Sequence, residues 1–181
     1  MHRVSLPPGE LLFFALNYLF TYHQVNTTPA AIEHWLSFGS WSPPGDGVIK
    51  LNFDGAMFTA SSEIGIGVVA RDSTGACVWC MSVRKRWAPE PELVEALAAR
   101  EAVFPAQRFG WRRIVLEGDC ANLYFKLFSP QADCASTGVV THDIKCLSSA
   151  FESCVFSLVR RTANKIAHCL DRKASNSGSY I

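Results

Sequence analysis

Three acidic residues stand where a folded chain could gather them: Asp54, Glu95 and Asp119. Asp54 closes the alternating stretch Val48 to Phe53 and is followed by Gly55; Asp119 ends Glu117-Gly118-Asp119, after the apolar run Ile114 to Leu116. Glu95 lies one turn into the Ala- and Leu-rich segment Pro91 to Phe104. Crowded carboxylates repel and raise one another's pKa. A divalent cation removes that cost, and Mg²⁺ keeps several waters, so a few carboxylates plus a phosphate suffice to bind it. Singly, each residue has a plainer account: Asp before Gly is a turn former, and a helical Glu is solvated or paired with a neighbour such as Arg100. Their order along the chain, each at a strand end or beside one, argues for a joint role.

The elements that must position them follow from periodicity. Alternating or apolar runs predict strands at Val48 to Phe53, Ile64 to Arg71, Ala76 to Arg84, Ile114 to Leu116 and Val155 to Val159. Helical spacing predicts helices at Pro91 to Phe104, Ala121 to Phe128, Val139 to Phe151 and Ala163 to Ala174, with Pro105 ending or kinking the first. A loop is expected over Gln131 to Gly138. The three opening strands, joined by short turns such as Asp72-Ser73-Thr74-Gly75, form an antiparallel meander. The strand-helix-strand order that follows favours parallel pairing. The expected fold is α/β: a five-stranded mixed sheet, strands one to three antiparallel, four and five parallel to one, with helices on both faces. Asp54 and Asp119 would then lie at the carboxyl ends of neighbouring parallel strands, where open sheets bind ligands.

Trp41-Ser42-Pro43-Pro44-Gly45-Asp46-Gly47 cannot continue a helix and marks a boundary. Residues 1–40 read as a helical extension or linker, 41–174 as the domain, and 175–181 as a flexible tail. The apolar run Leu11 to Phe20 is about half the roughly 20 residues that span a bilayer, so a buried or amphipathic helix is expected and no membrane partner. Net charge is only +1 and charged residues make up 18 %. No global positive field exists, so any hold on phosphate must come from a local basic patch or bound metal. Seven cysteines without a scaffold spacing suit a reducing compartment, nucleus or cytoplasm. Cys77 and Cys80 lie in an apolar strand, without two further ligands to make a zinc site, and are expected in the core. No feature of the sequence sets an oligomeric state.

From Trp41 to Ala174 the chain also resembles a known family, the plant reverse-transcriptase-like ribonuclease H domains, related to ribonuclease H type 1 and to retroelement enzymes. The resemblance rests on Trp41 to Ala56 (WSPPGDGVIKLNFDGA), Gly65 to Gly75 (GIGVVARDSTG), Glu95 to Ala102 (EALAAREA), Leu116 to Asp119 (LEGD) and Val159 to His168 (VRRTANKIAH). It implies a ribonuclease H-like fold, with Asp54, Glu95 and Asp119 on three of four acidic metal ligands. The implied reaction is two-metal endonucleolytic hydrolysis of RNA in RNA–DNA hybrids, using Mg²⁺ or Mn²⁺ with ions about 4 Å apart.

The chain departs from type 1 enzymes at the fourth acidic position, which falls on His168, the usual residue in the plant family. Histidine is a poorer ligand for Mg²⁺ and suits Mn²⁺ or Zn²⁺ better; packing at the helix start is its plainer role. Asp171, one turn later on a similar face, could compensate. Pro91-Glu92-Leu93 replaces the asparagines that precede the helix Glu in type 1 enzymes, and Lys145 stands nearly alone where a basic protrusion would lie. Arg160, Arg161, Asn164 and Lys165 form the candidate phosphate contact, or simply a solvated helix start. Two other readings stand beside the nuclease: a catalytically degraded nucleic-acid-binding module derived from a retroelement, and a protein-interaction domain using only the scaffold.

Overall fold

The computed structural model describes residues 40–86, 90–129, 135–174 and 179–180. The N-terminal helical extension expected from the sequence falls outside them. In chain order the elements are β1 (Ile49–Phe58), β2 (Glu63–Arg71), β3 (Cys77–Arg86), α1 (Pro91–Arg108), β4 (Arg113–Gly118), α2 (Ala121–Phe128), α3 (Ser136–Ser148), β5 (Ser153–Leu158), α4 (Lys165–Arg172) and β6 (Ser179–Tyr180). One sheet runs β5-β4-β1-β2-β3-β6. β1, β2 and β3 pair antiparallel, while β4 and β5 run parallel to β1. This is the expected mixed five-stranded sheet, with one addition. Ser179–Tyr180 pairs antiparallel with Ser82 and Met81 of β3, which the polar end of the chain gave no reason to expect.

Strand alternation sorts β1 into two faces. Leu51 and Phe53, with Ile66, Val68 and Leu116 of the neighbouring strands, are fully or almost fully buried and form the apolar core with α1. Lys50, Asn52 and Asp54 point to the other face, where α4 packs, and they too are buried. Their polar atoms are used up locally. Lys50 Nζ lies 2.7 Å from Glu117 Oε1 and donates to Ser42 O at 2.8 Å. Asn52 Nδ2 donates to Glu117 at 3.0 Å and to Asn164 at 3.3 Å, and its Oδ1 accepts from Arg71 at 2.6 Å. The Arg71 guanidinium sits 3.3 Å from the Trp41 ring centre, a cation–π cap on the outer end of the network.

Two glycines set how closely the helices approach. A Cβ on Gly55 would stand 2.7 Å from Val94 Cγ1 of α1, so only glycine lets that helix lie against β1 and bring Glu95 to Asp54. A Cβ on Gly67, which pairs with Asp54 across β1 and β2, would collide with the backbone of Ala167 and Asp171 in α4.

Several boundaries differ from the sequence reading. β1 continues to Phe58, so Asp54 lies inside the strand rather than at its end. Pro105 does not end α1, which runs to Arg108; the proline is buried in the last turn, and its carbonyl still accepts from Phe109 N at 2.9 Å. α3 starts at Ser136, inside the expected loop, and ends at Ser148. α4 starts at Lys165, because residues 160–164 make tight turns instead. Cys77 is exposed and Cys80 half-buried, so the pair is not core; that end of β3 projects into solvent. All described cysteines are unbridged.

Gly67→Ala should cost about 3 kcal/mol, the upper end for forcing an extra methyl into packed backbone. Thermal unfolding measures it, against Gly45→Ala, whose new Cβ meets nothing within 4 Å and should leave the melt unchanged.

Candidate metal centre

β1 and β4 pair in register only from Ile49↔Ile114 to Asn52↔Glu117. Two residues beyond that last pair, on the same faces, stand Asp54 and Asp119. The parallel strands part there and leave an opening at that end of the sheet. Glu95, held over it by α1, completes the group: one carboxylate oxygen from each of Asp54, Glu95 and Asp119 lies within 4.8 Å of the others. They line an open cleft of about 720 Å³, together with Asn122, Arg161 and Arg172.

Asp54 is buried, and both its oxygens are engaged. Oδ1 accepts the N–H of Gly55 at 2.9 Å, and Oδ2 lies 2.8 Å from His168 Nδ1. Arg161 Nη2 stands 3.2 Å from both imidazole nitrogens. These neighbours assign the tautomer: Nδ1–H donates to Asp54 and Nε2 accepts from Arg161. His168 Nδ1 is also 3.6 Å from Asp171, whose side chain is fully buried.

The electrostatics record an uncompensated cluster. Burial, then the Asp54 and Asp119 charges, push the Glu95 carboxyl well above its ordinary value. Asp119 is raised by burial and then by Asp54, with Arg161 and Asn164 acting against them. Asp171 is pushed up to about 7, by burial first and Asp54 second. Glu95 Oε2 and both Asp171 oxygens are shielded from solvent without a hydrogen-bond partner. Orphaned oxygens around a shared acidic pocket fit a hard divalent cation, which takes oxygen ligands and reverses the repulsion.

The remaining candidate residues divide. Arg160, Arg161 and Lys165 are exposed at the start of α4. Asn164 was grouped with them as a phosphate contact, but the structure places it in the interior at 0 % exposure. Its Nδ2 donates to Phe53 O at 2.8 Å and its Oδ1 accepts from Asn52. It occupies the position before α4 without capping it; its side chain binds β1 and also hydrogen-bonds Asp119. Lys145 donates to Ser129 O at 2.9 Å and ties down the end of α2. Asn122 and Arg172 line the cleft unanticipated; both follow polar helix positions that periodicity alone leaves on a solvent face.

This sheet order, with carboxylates where β1 and β4 part, is the ribonuclease H-like fold. Ribonuclease H1 from Halobacterium salinarum superposes with a TM-score of 0.65 at 21 % identity, over 70 % of this chain and 96 % of that one. LC11 ribonuclease H1, isolated from compost, gives 0.64 at 19 % identity over 72 % and 97 %. A second structure of that enzyme, in complex with an RNA/DNA hybrid, gives 0.61 at 18 % over 71 % and 97 %. No functionally curated protein matches the chain in sequence. The profile of one family does, over residues 52–174: the chain belongs to the reverse transcriptase-like family.

In a chelator at neutral pH, Glu95→Gln should melt above the wild type. The Glu95 carboxyl holds its proton more tightly folded than unfolded, so its ionisation opposes folding as pH rises. The gap should therefore close as pH falls through the raised Glu95 value. Mg²⁺ should invert the order, stabilising the wild type by about 2.7 kcal/mol at a hundredfold excess over Kd. Paired melts with chelator and with metal check both signs.

Proposed function

We propose that the chain is a divalent-metal-dependent endoribonuclease that hydrolyses the RNA strand of RNA–DNA hybrids. The observation that carries this reading is the convergence of Asp54, Glu95 and Asp119 within 4.8 Å at the mouth of an open cleft, in a ribonuclease H-like fold. That LC11 ribonuclease H1, of the same fold, was solved with an RNA/DNA hybrid supports the substrate class. Residues 41–174 would form the nuclease domain and residues 1–40 an extension, while Ser179–Tyr180 of the C-terminal tail adds an edge strand to the domain's sheet. Unbridged cysteines suit a reducing compartment, nucleus or cytoplasm.

In this reading Asp54, Glu95 and Asp119 would hold the Mg²⁺ or Mn²⁺ ions. When bound, the ions supply a water of lowered pKa and a positive charge for the leaving 3′ oxygen. The side chains themselves fix positions: Asp54 is held by Gly55 N–H and His168, and Glu95 by the close seat of α1 on Gly55. Arg161, exposed beside the cleft, meets a substrate phosphate, with Arg160 and Lys165 extending the basic edge. The net charge of +1 means that this edge, not the whole surface, must attract the backbone. His168 favours a second reading. Its bond to Asp54 already offsets part of the acidic charge, as in a module that binds nucleic acid without turnover.

Cleavage of an end-labelled hybrid in Mg²⁺ or Mn²⁺ decides between them. Asp54→Asn should reduce the rate about a thousandfold, because losing several kcal/mol of metal-borne charge stabilisation costs a factor of ten per 1.36 kcal/mol. Metal-dependent binding with no turnover by the wild type would instead select the binding module. Arg161→Ala should weaken hybrid affinity and lower the slope of log affinity against log salt by about one, measured by anisotropy across a salt series.

A further inference from the structure

A pair of metal-competent side chains lies on α3, which carries none of the clustered carboxylates. His142 and Cys146 stand four residues apart, so both project from one side of the helix. Cys146 Sγ lies 3.5 Å from His142 Nε2, and both residues are exposed. Without metal this contact is a thiol–imidazole hydrogen bond. The same separation is the bite of a tetrahedral zinc ion. Zn–S of about 2.3 Å and Zn–N of about 2.0–2.1 Å, at the tetrahedral angle, hold sulfur and nitrogen about 3.6 Å apart. The pair is therefore already spaced for chelation, and thiolate with imidazole is a donor set that zinc favours. Among the described residues no third His, Cys, Asp or Glu atom joins it. The neighbouring carboxylate, Asp143, faces Arg100 at 3.5 Å instead. One chain thus supplies two of the four donors that a closed zinc site requires. The surface around the pair indicates where the other two come from. The exposed positions of α3 are Ser136, Val139, His142 and Cys146. None carries a fixed charge, although the solvent face of a helix is ordinarily charged. Val139, one turn before His142, is 58 % exposed. Loss of charged side chains is a mark of an interface core.

We propose that His142 and Cys146 form half of a tetrahedral zinc site that a second copy of this chain completes. Two copies related by a twofold axis through the ion present the same sulfur and nitrogen twice, a closed set of two thiolates and two imidazoles. The two α3 helices meet along the uncharged stripe, and each covers the other's Val139. Each thiol gives its proton to solvent when the ion binds, so two protons leave per ion, while the imidazoles bind neutral through Nε2. The two thiolate charges then balance the ion, and the contact stays free of net charge. The site uses neither the clustered carboxylates nor the cleft, so it stands or falls apart from the nuclease reading.

Sedimentation velocity of the full chain across a Zn²⁺ titration, under reducing conditions, tests it. Zinc should convert monomer to dimer, and a chelator should reverse the change. The wild type should take up one ion per two chains more than Cys146→Ser does. Cys146→Ser and His142→Gln should each raise the zinc concentration at half-dimerisation at least a hundredfold. Val139→Lys keeps both ligands but sets a charge on each side of the contact, and should raise it at least tenfold. Co²⁺ in place of zinc should give a thiolate-to-metal charge-transfer band that Cys146→Ser removes. Melts in chelator should coincide for all variants, since the three side chains are exposed. A chain that stays monomeric in zinc overturns the proposal. So does zinc-driven dimerisation that survives Cys146→Ser or is indifferent to Val139→Lys.

Discussion

Mutual repulsion among Asp54, Glu95, Asp119 and Asp171 is the constraint around which the functional end of the sheet is built. The four belong to the middle of β1, the end of β4 and two helices that share no local sequence, yet their carboxyls meet in a partly dehydrated pocket. The proton affinities of Glu95, Asp119 and Asp171 all rise, each through burial first and the Asp54 charge next. Nothing in hydrophobic packing asks for such a cluster; a core built for stability alone would replace it with apolar side chains. The fold tolerates it because apolar burial on the opposite face, around Leu51, Phe53, Val94 and Leu116, is extensive. Crowded, pKa-shifted carboxyls of this kind gather at functional sites.

Geometry is delivered by two devices. The first is glycine: Gly55 seats α1 and Gly67 seats α4, so Glu95 and His168 approach Asp54 from opposite faces of the sheet. The second is the buried polar network on the α4 face. Arg71, Asn52, Glu117 and Asn164 link β2, β1, β4 and the turn before α4 by side-chain hydrogen bonds of 2.6–3.3 Å. Asn164 closes that network on the carbonyl of Phe53, the residue before Asp54. The registers of β1, β4 and α4 are thereby fixed to one another at the point where the carboxylates must meet. Trp41 seals the outer end over Arg71, which gives the Trp-Ser-Pro-Pro segment a structural task that a boundary reading does not contain.

Most of the fold was legible because periodicity reports burial. The antiparallel opening, the parallel β4 and β5 and the helix on Pro91 to Phe104 all follow from alternation, turn residues and spacing. The convergence of Asp54, Glu95 and Asp119 was legible too, from their order along the chain and from family resemblance, although Asp54 lies inside β1 and not at its end. What escaped has physical causes. The polar face of β1 hides its burial, since Lys50, Asn52 and Asp54 read as solvent-facing until their partners from distant strands are known. Asn164 read as a surface residue for the same reason: its partners lie over a hundred positions away in the chain. Pro105 was expected to end a helix, but in the last turn only one intrahelical bond is forfeited and burial holds the ring. β6 pairs through backbone groups, which leave no mark on side-chain pattern.

His168 acquires a different meaning once Asp171 is placed beside it. A carboxylate in the position of His168 would add one more negative charge to a cluster already short of compensation. The His168 imidazole instead donates a hydrogen bond to Asp54 at 2.8 Å. The acidic charge that the imidazole omits returns one turn later, in a side chain wholly removed from water. An imidazole at residue 168 and a carboxylate at residue 171 thus set nitrogen and oxygen atoms side by side, within 4.8 Å of Asp54 and of one another.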